Sequence, residues 1–261
     1  MAEARVVEEL PESRLGTKEH WDSVYEREVD TYKAIGDEGE VWFGEDSVER
    51  MIAYLVEFLE EDPFKQPPFV LDLGTGNGHL LFSLLDARDE LGDEALEPAR
   101  LCGVDYSPAS VKLSQAIGAT RGEGCDAVIF EEADLRDPAT VLTLKQSGND
   151  GLGWDIVCDK GTFDAIALSS QPVNGKLPVD LYVEAVAALT RPQSEHALSG
   201  IFFITSCNFT QEELERKFLP AGTFILLMPG FAVEHVVPAP TFMFGGQQGS
   251  TVTTVAFRRA P

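Results

Sequence analysis

Between Val70 and Leu81 the chain runs VLDLGTGNGHLL: an apolar stretch, a turn with glycine at every second position, and the start of another apolar stretch. Val70, Leu71 and Leu73 suit a strand buried on both faces, which belongs to a parallel sheet covered by helices. Gly74, Gly76 and Gly78 let the backbone turn sharply and approach a ligand closely. A helix opening near Asn77 would turn its free N–H groups toward a carboxylate. Asp72 is the one charge in the run, and at a strand's end a carboxylate can accept from an ammonium. The spacing is GxGxG with an acid two residues ahead, whereas a dinucleotide turn needs GxGxxG. An amino acid joined to a nucleoside fits better than a pyrophosphate, so the expected ligand is S-adenosylmethionine.

Around this turn the rest of the chain alternates strand and helix signals. The residues before Leu15 are polar and acidic without periodicity and are expected to form a mobile tail, 1–14, ahead of one domain over 15–261. Trp21, Val24 and Tyr25 share a helical face, with Thr17 and His20 a partial cap. In the next segment Asp46 and Glu49 form an expected capping box before the stripe Val48, Ile52, Leu55, Val56 and Leu59, and Pro63 closes it. Trp42, Phe43 and Gly44 stand just ahead, either as a staple on the core or as a lid over the ligand. The stretch from Asp86 to Arg100 is helix-compatible connecting structure.

LCGVDYSP predicts a second strand ending at Asp105, with Ser107 capping a helix that has Pro108 at its first position. VIFEEADL predicts a third strand reaching Asp134 and Leu135. WDIVCDKGT predicts a fourth, from which Asp159 and Lys160 emerge, and GIFFITSCN a fifth. Thr210 and Glu213 form a second capping box, with Phe209 and Leu214 as its staple. AVEHVVP and TVTTVAFRR predict two antiparallel strands joined by a loop at Gly245 and Gly246. Together these elements make one doubly wound α/β sheet.

A net charge of −24, from 44 acids against 20 Lys and Arg, argues against a nucleic-acid backbone as partner and favours a basic protein. No stretch approaches the roughly 18 apolar residues of a membrane span. The four cysteines lack metal-like spacing and suit reduced, buried thiols. A soluble, cytoplasmic monomer is therefore expected.

In a doubly wound sheet the ligand lies at the carboxyl ends of the strands, where Asp72, Asp105, Asp134 and Asp159 stand. Asp105 can accept from both hydroxyls of a ribose. Asp134 can accept from an adenine amine while the backbone of Leu135 meets the ring edge, and Tyr106 and Leu135 supply apolar walls. Trp21, Thr75 and Asn77 complete the expected cofactor contacts.

The words LGTKEHWDSVYERE, EVWFGE, LDLGTGNG, VDYSP and CDKGTFDAI, in this order, resemble those of the class I methyltransferases that methylate a lysine of translation elongation factor 1A. The resemblance implies a Rossmann-like sheet of seven strands, mostly parallel with the last antiparallel, S-adenosylmethionine as cofactor and a protein lysine as substrate. A sulfonium methyl is already activated, so the protein has to align a neutral amine with it and exclude water. Asp159 is expected to orient the incoming amine or the cofactor's ammonium, with Trp42 and Phe43 as the wall of the lysine channel and Lys160 paired with an acid. From the residues alone, methylation of another protein or a small amine, and a non-catalytic adaptor, stay open.

Overall fold

The apolar runs become strands. The computed structural model describes residues 10–61, 64–92, 94–122, 124–193, 198–219, 230–244 and 247–260. Four strands, β1 (Val70–Leu73), β2 (Leu101–Asp105), β4 (Ile156–Lys160) and β5 (Ile201–Ser206), are buried along nearly their whole length. β3 (Ile129–Glu132) lies at the sheet's edge, where only Phe130 is buried. β3 stops at Glu132, so Asp134 and Leu135 follow it in a turn and not in the strand itself. Then come β6 (Phe231–Val237), β7 (Thr241–Phe244), β8 (Gln247–Ser250) and β9 (Thr253–Arg259).

The main sheet has seven strands in the order β3-β2-β1-β4-β5-β9-β6. β3, β2, β1, β4 and β5 pair in parallel, and β9 enters antiparallel between β5 and β6. The two last strands of this sheet are not joined by a simple loop. A separate antiparallel hairpin of β7 and β8 intervenes, and the expected Gly245–Gly246 turn lies outside the described residues, as does Pro63.

Side chains alternate across the sheet with the period of two that the strand pleat imposes. Ile201 and Phe203 face a core shared with the helices α1 (Lys18–Ile35), α2 (Glu45–Glu61), α3 (His79–Asp86) and α5 (Pro108–Arg121). Phe202 and Ile204 face the opposite core, shared with α6 (Pro138–Ser147), α7 (Thr162–Ala167), α8 (Pro178–Leu189) and α9 (Gln211–Phe218). These four apolar side chains of β5 are fully buried, each contributing about 1.5–3 kcal/mol to the folded state. Among the described residues between Asp86 and Arg100, the short α4 (Arg88–Leu91) and a 3-10 turn at Pro98–Arg100 form.

The caps differ in part from expectation. Thr17 accepts from the His20 amide, and Thr210 with Glu213 makes the full reciprocal box. α2 begins at Glu45, which places Asp46 inside its first turn, so the expected box with Glu49 does not form. The Ser47 hydroxyl instead donates back to the Phe43 carbonyl at 2.8 Å. The Ser107 hydroxyl makes no cap either, and the Ser107 amide donates to the carboxylate of Asp105 at 2.9 Å. Ahead of Leu15, Leu10 packs on the second core and the Ser13 amide donates to the Leu168 carbonyl at 3.1 Å. Cys102, Cys125 and Cys158 are buried, whereas Cys207 is exposed. Among the described residues no helix is long and apolar enough to cross a membrane.

Candidate active site

Leu73 at the end of β1 lies beside Val104 of β2 on one side and Asp159 of β4 on the other. The strand order reverses here, and the crossovers leave in opposite directions to leave a crevice. A cavity of about 230 Å³ fills it.

The glycine turn forms one wall. Gly74 and Gly76 have φ of 66° and 59°, which favour glycine. A Cβ on Gly74 would sit 2.0 Å from the Thr162 hydroxyl, and one on Gly76 would sit 2.7 Å from the Tyr25 hydroxyl. Thr162 comes this close because its hydroxyl donates to the Leu73 carbonyl at 2.6 Å. α3 opens at His79, two residues later than the sequence suggested, with the Asn77 side chain accepting from the His79 amide.

Asp105 closes the turn from the side. It is 5% exposed, and its two oxygens accept from the Gly76 and Ser107 amides. Burial raises its pKa, against the pull of those amides. Asp134 lines the same wall, and burial likewise works against its charge. The guanidinium of Arg136, bonded to both carboxylate oxygens at 2.8–2.9 Å, outweighs burial and holds the pKa below the usual range. Arg136 and Lys18 stand over the Tyr106 ring, whose hydroxyl donates to the Thr17 carbonyl.

An aromatic wall faces the glycine turn. The Trp21 indole donates to the Leu15 carbonyl at 2.7 Å and meets Trp42 edge-on at 4.8 Å, with Tyr25 stacked beside it. Phe43 holds a left-handed φ of 68° and packs on Gly161, where a Cβ would be 2.8 Å from its ring. Trp42 and Phe43 are half-buried on the cavity wall and do not staple the core.

Trp21, Trp42, Phe43, Gly74, Thr75, Gly76, Asn77, Asp105, Tyr106, Asp134 and Leu135 therefore all line one cavity. Asp72 and Asp159 do not. Asp159 is fully buried, where it accepts from the Thr162 and Phe163 amides and from the Tyr182 hydroxyl. It caps α7 from within the sheet, and the expectation that it orients an incoming amine is corrected on that ground. Burial pushes its pKa up to about 7. Asp72 is 3% exposed and is also pushed up to about 7 by burial, with the Lys160 charge opposing. Lys160 lines the cavity but forms no ion pair among the described residues. Its ammonium donates to the Trp42 carbonyl at 2.8 Å, which corrects the expected pairing with an acid.

Sequence reasoning passed over Tyr25, Arg136, Asp164 and the Cys207–Asn208 turn, all on the cavity wall. The rule that ligands gather at the carboxyl ends of strands, applied to the end of β5, would have found the last of these.

A family model described as a methyltransferase domain matches residues 69–225. The protein-lysine N-methyltransferase efm4 of Schizosaccharomyces pombe is 42% identical over 256 residues, covering 97% of each chain. EEF1A lysine methyltransferase 2 of Danio rerio is 37% identical, covering 97% of this chain and 91% of its own. Among solved structures, magnesium protoporphyrin IX methyltransferase (ChlM) from Synechocystis with bound SAM superposes with a TM-score of 0.53 at 15% identity, covering 93% and 95% of the two chains. The [4+2]-cyclase SpnF superposes at 0.56 and 12%, covering 97% and 99%. These structural matches speak for the fold alone, since one fold carries unrelated reactions. The sequence relatives decide the family: the chain belongs to the protein-lysine N-methyltransferases that include efm4 and EEF1A lysine methyltransferase 2.

Proposed function

We propose that this protein transfers a methyl group from S-adenosylmethionine to the ε-amine of a lysine in elongation factor 1A. The observation that carries the reading is a single cavity with an acid-and-glycine end and an aromatic end, in a chain aligned over 97% of its length with a protein-lysine N-methyltransferase. EEF1A as the substrate follows from the zebrafish relative, EEF1A lysine methyltransferase 2.

The residues fit the cofactor. The positive φ of Gly74 and Gly76 turns the backbone tightly along the cavity wall, and the buried Asp105 supplies an acceptor for a ribose diol. Asp134 and Leu135 would meet the adenine, Tyr106 its face, and Trp21, Thr75 and Asn77 the remaining contacts. S-adenosylmethionine supplies a methyl already activated on a positively charged sulfur. The protein's share is to bind, to orient and to exclude water, which can account for several kcal/mol of the barrier. Trp42 and Phe43 would wall the lysine channel, and Gly44 with its φ of 75° would let their turn move. The net charge of −24 suits a cationic protein surface as partner. A monomer working in the cytoplasm completes the reading.

Cell extract lacking its own enzyme of this kind, incubated with the protein and methyl-labelled cofactor, tests the substrate class. The expected result is label in lysine of one protein of the size of EEF1A. Label confined to small molecules or RNA would contradict the reading.

A further inference from the structure

Three acids line the cavity: Asp105, Asp134 and Asp164. Asp105 and Asp164 are 5% and 4% exposed. Asp134 is different, because its side chain is 41% exposed and a ligand can reach it. Its Oδ1 accepts from the Arg136 amide and from Nε of Arg136, both at 2.9 Å, and its Oδ2 accepts from Nη2 of Arg136 at 2.8 Å. Oδ2 takes that one donor and has a second lone pair for another.

Arg136 grips this carboxylate with the fork of its guanidinium, and two N–H···O bonds fix the carboxylate plane as a single bond does not. The same guanidinium stands 5.6 Å from the centre of the Tyr106 ring, whose hydroxyl donates to the Thr17 carbonyl at 3.3 Å. Arg136 thus joins the turn after β3 to the residue that follows β2. A carboxylate held this way accepts and does not donate. It meets the exocyclic amine of a 6-aminopurine as a partner and the carbonyl of a 6-oxopurine as a repelling oxygen. On the reading that S-adenosylmethionine lays its adenine against Asp134, we infer that Arg136 is a positioning residue that makes the site select an adenosyl over an inosyl cofactor.

Neighbouring charges keep the pair together. Lys18 favours the ionised form of Asp134, and Glu19 favours the charged form of Arg136. An exposed aspartate is ionised at neutral pH without help, with an ordinary pKa of about 3.9. What Arg136 adds is therefore position. Without the fork Asp134 is free to turn to water, and a loose side chain has to be ordered again each time a ligand binds.

Arg136→Met keeps an unbranched stem beside Tyr106 and removes the fork, whereas Arg136→Lys keeps the charge as a point donor. Melting temperatures and calorimetric affinities for S-adenosylhomocysteine and S-inosylhomocysteine, which differ at C6 of the purine, are measured for wild type and both variants. Wild type is expected to prefer the adenosyl ligand. The Met variant is expected to fold and to bind S-adenosylhomocysteine about tenfold more weakly, the worth of about one hydrogen bond. Its affinity for S-inosylhomocysteine changes less, so the preference narrows, and the Lys variant falls between. A wild type without preference, a folded Met variant with wild-type affinities, or one weakened equally toward both ligands overturns the inference, since a merely structural role leaves the ratio alone. A Lys variant that matches wild type shows charge alone at work and overturns it too. If the Met variant melts, the Lys variant decides: a narrowed preference supports the inference and an unchanged ratio overturns it. A folded wild type that binds neither ligand overturns the cofactor reading itself, which separates the two failures.

Discussion

Lys160 at the end of β4 donates its ammonium to the carbonyl of Trp42 at 2.8 Å, a contact between residues 118 apart in sequence. It fastens the aromatic turn ahead of α2 to the strand beside the glycine turn. Burial lowers the pKa of this ammonium, and the charges of Asp72, Asp159 and Glu45 oppose the shift.

Lys160→Met keeps the bulk of the stem and removes the donor. A hydrogen bond from a charged group is worth about 1.5–3 kcal/mol, so thermal melting should show a loss of that order. Tryptophan emission should shift as the Trp42 turn loosens. A variant with wild-type melting and emission would show that the contact does not hold the turn.

Trp42 is half-buried against Trp21 and the cavity, outside both cores. Trp42→Ala should therefore lower kcat more than it weakens cofactor binding, because a channel wall acts mainly as the amine approaches the methyl. Its stability should fall by less than the roughly 3–5 kcal/mol typical of a fully buried aromatic cut to Ala. A melted protein, or a folded one with unchanged single-turnover rate, would remove Trp42 from the channel.

Asp105→Ala deletes the expected ribose acceptor together with the bonds to the Gly76 and Ser107 amides. Cofactor affinity should drop by about 1.5–3 kcal/mol in calorimetry, with a stability loss alongside. Asp105→Asn keeps an oxygen for one amide and should lie between the two. Unchanged affinity in a folded Ala variant would take Asp105 out of the site.

Asp72 gives a pH dependence of definite sign. Its folded pKa of about 7 lies above its ordinary value of 3.8, so the native state holds the proton where the unfolded chain has lost it. Its contribution is fully present below pH 3.8 and is lost as pH rises through about 7. The melting temperature of wild type, without cofactor, should fall over that window more steeply than that of Asp72→Asn. Parallel curves for the two proteins would mean that Asp72 does not titrate there.

The sheet was legible because buried parallel strands announce themselves: VLDL, LCGV, DIVC and IFFI are near-continuous apolar runs bounded by turns or acids. The glycine turn and Asp105 followed from spacing, since each is local to one strand end. Asp159 shows the limit. From sequence it stands at a strand's carboxyl end like Asp105, yet its carboxylate turns to the first amides of α7 and to Tyr182, 23 residues on. Which way a terminal acid points depends on a partner from another element. The same holds for Asp164, whose Oδ1 is held by the Ser206 hydroxyl, the Cys207 amide and thiol and the Asn208 amide, and for Lys160, whose partner is a backbone carbonyl that carries no sequence signal.

Purified protein incubated with unmethylated EEF1A and isotopically labelled S-adenosylmethionine, followed by tandem mass spectrometry of the digested EEF1A, tests whether this protein methylates a lysine of that substrate. The expected result is label on the ε-nitrogen of a defined lysine, abolished when that lysine is changed to arginine. Label on arginine, histidine or no residue of EEF1A, with the protein folded and the cofactor bound, would contradict it.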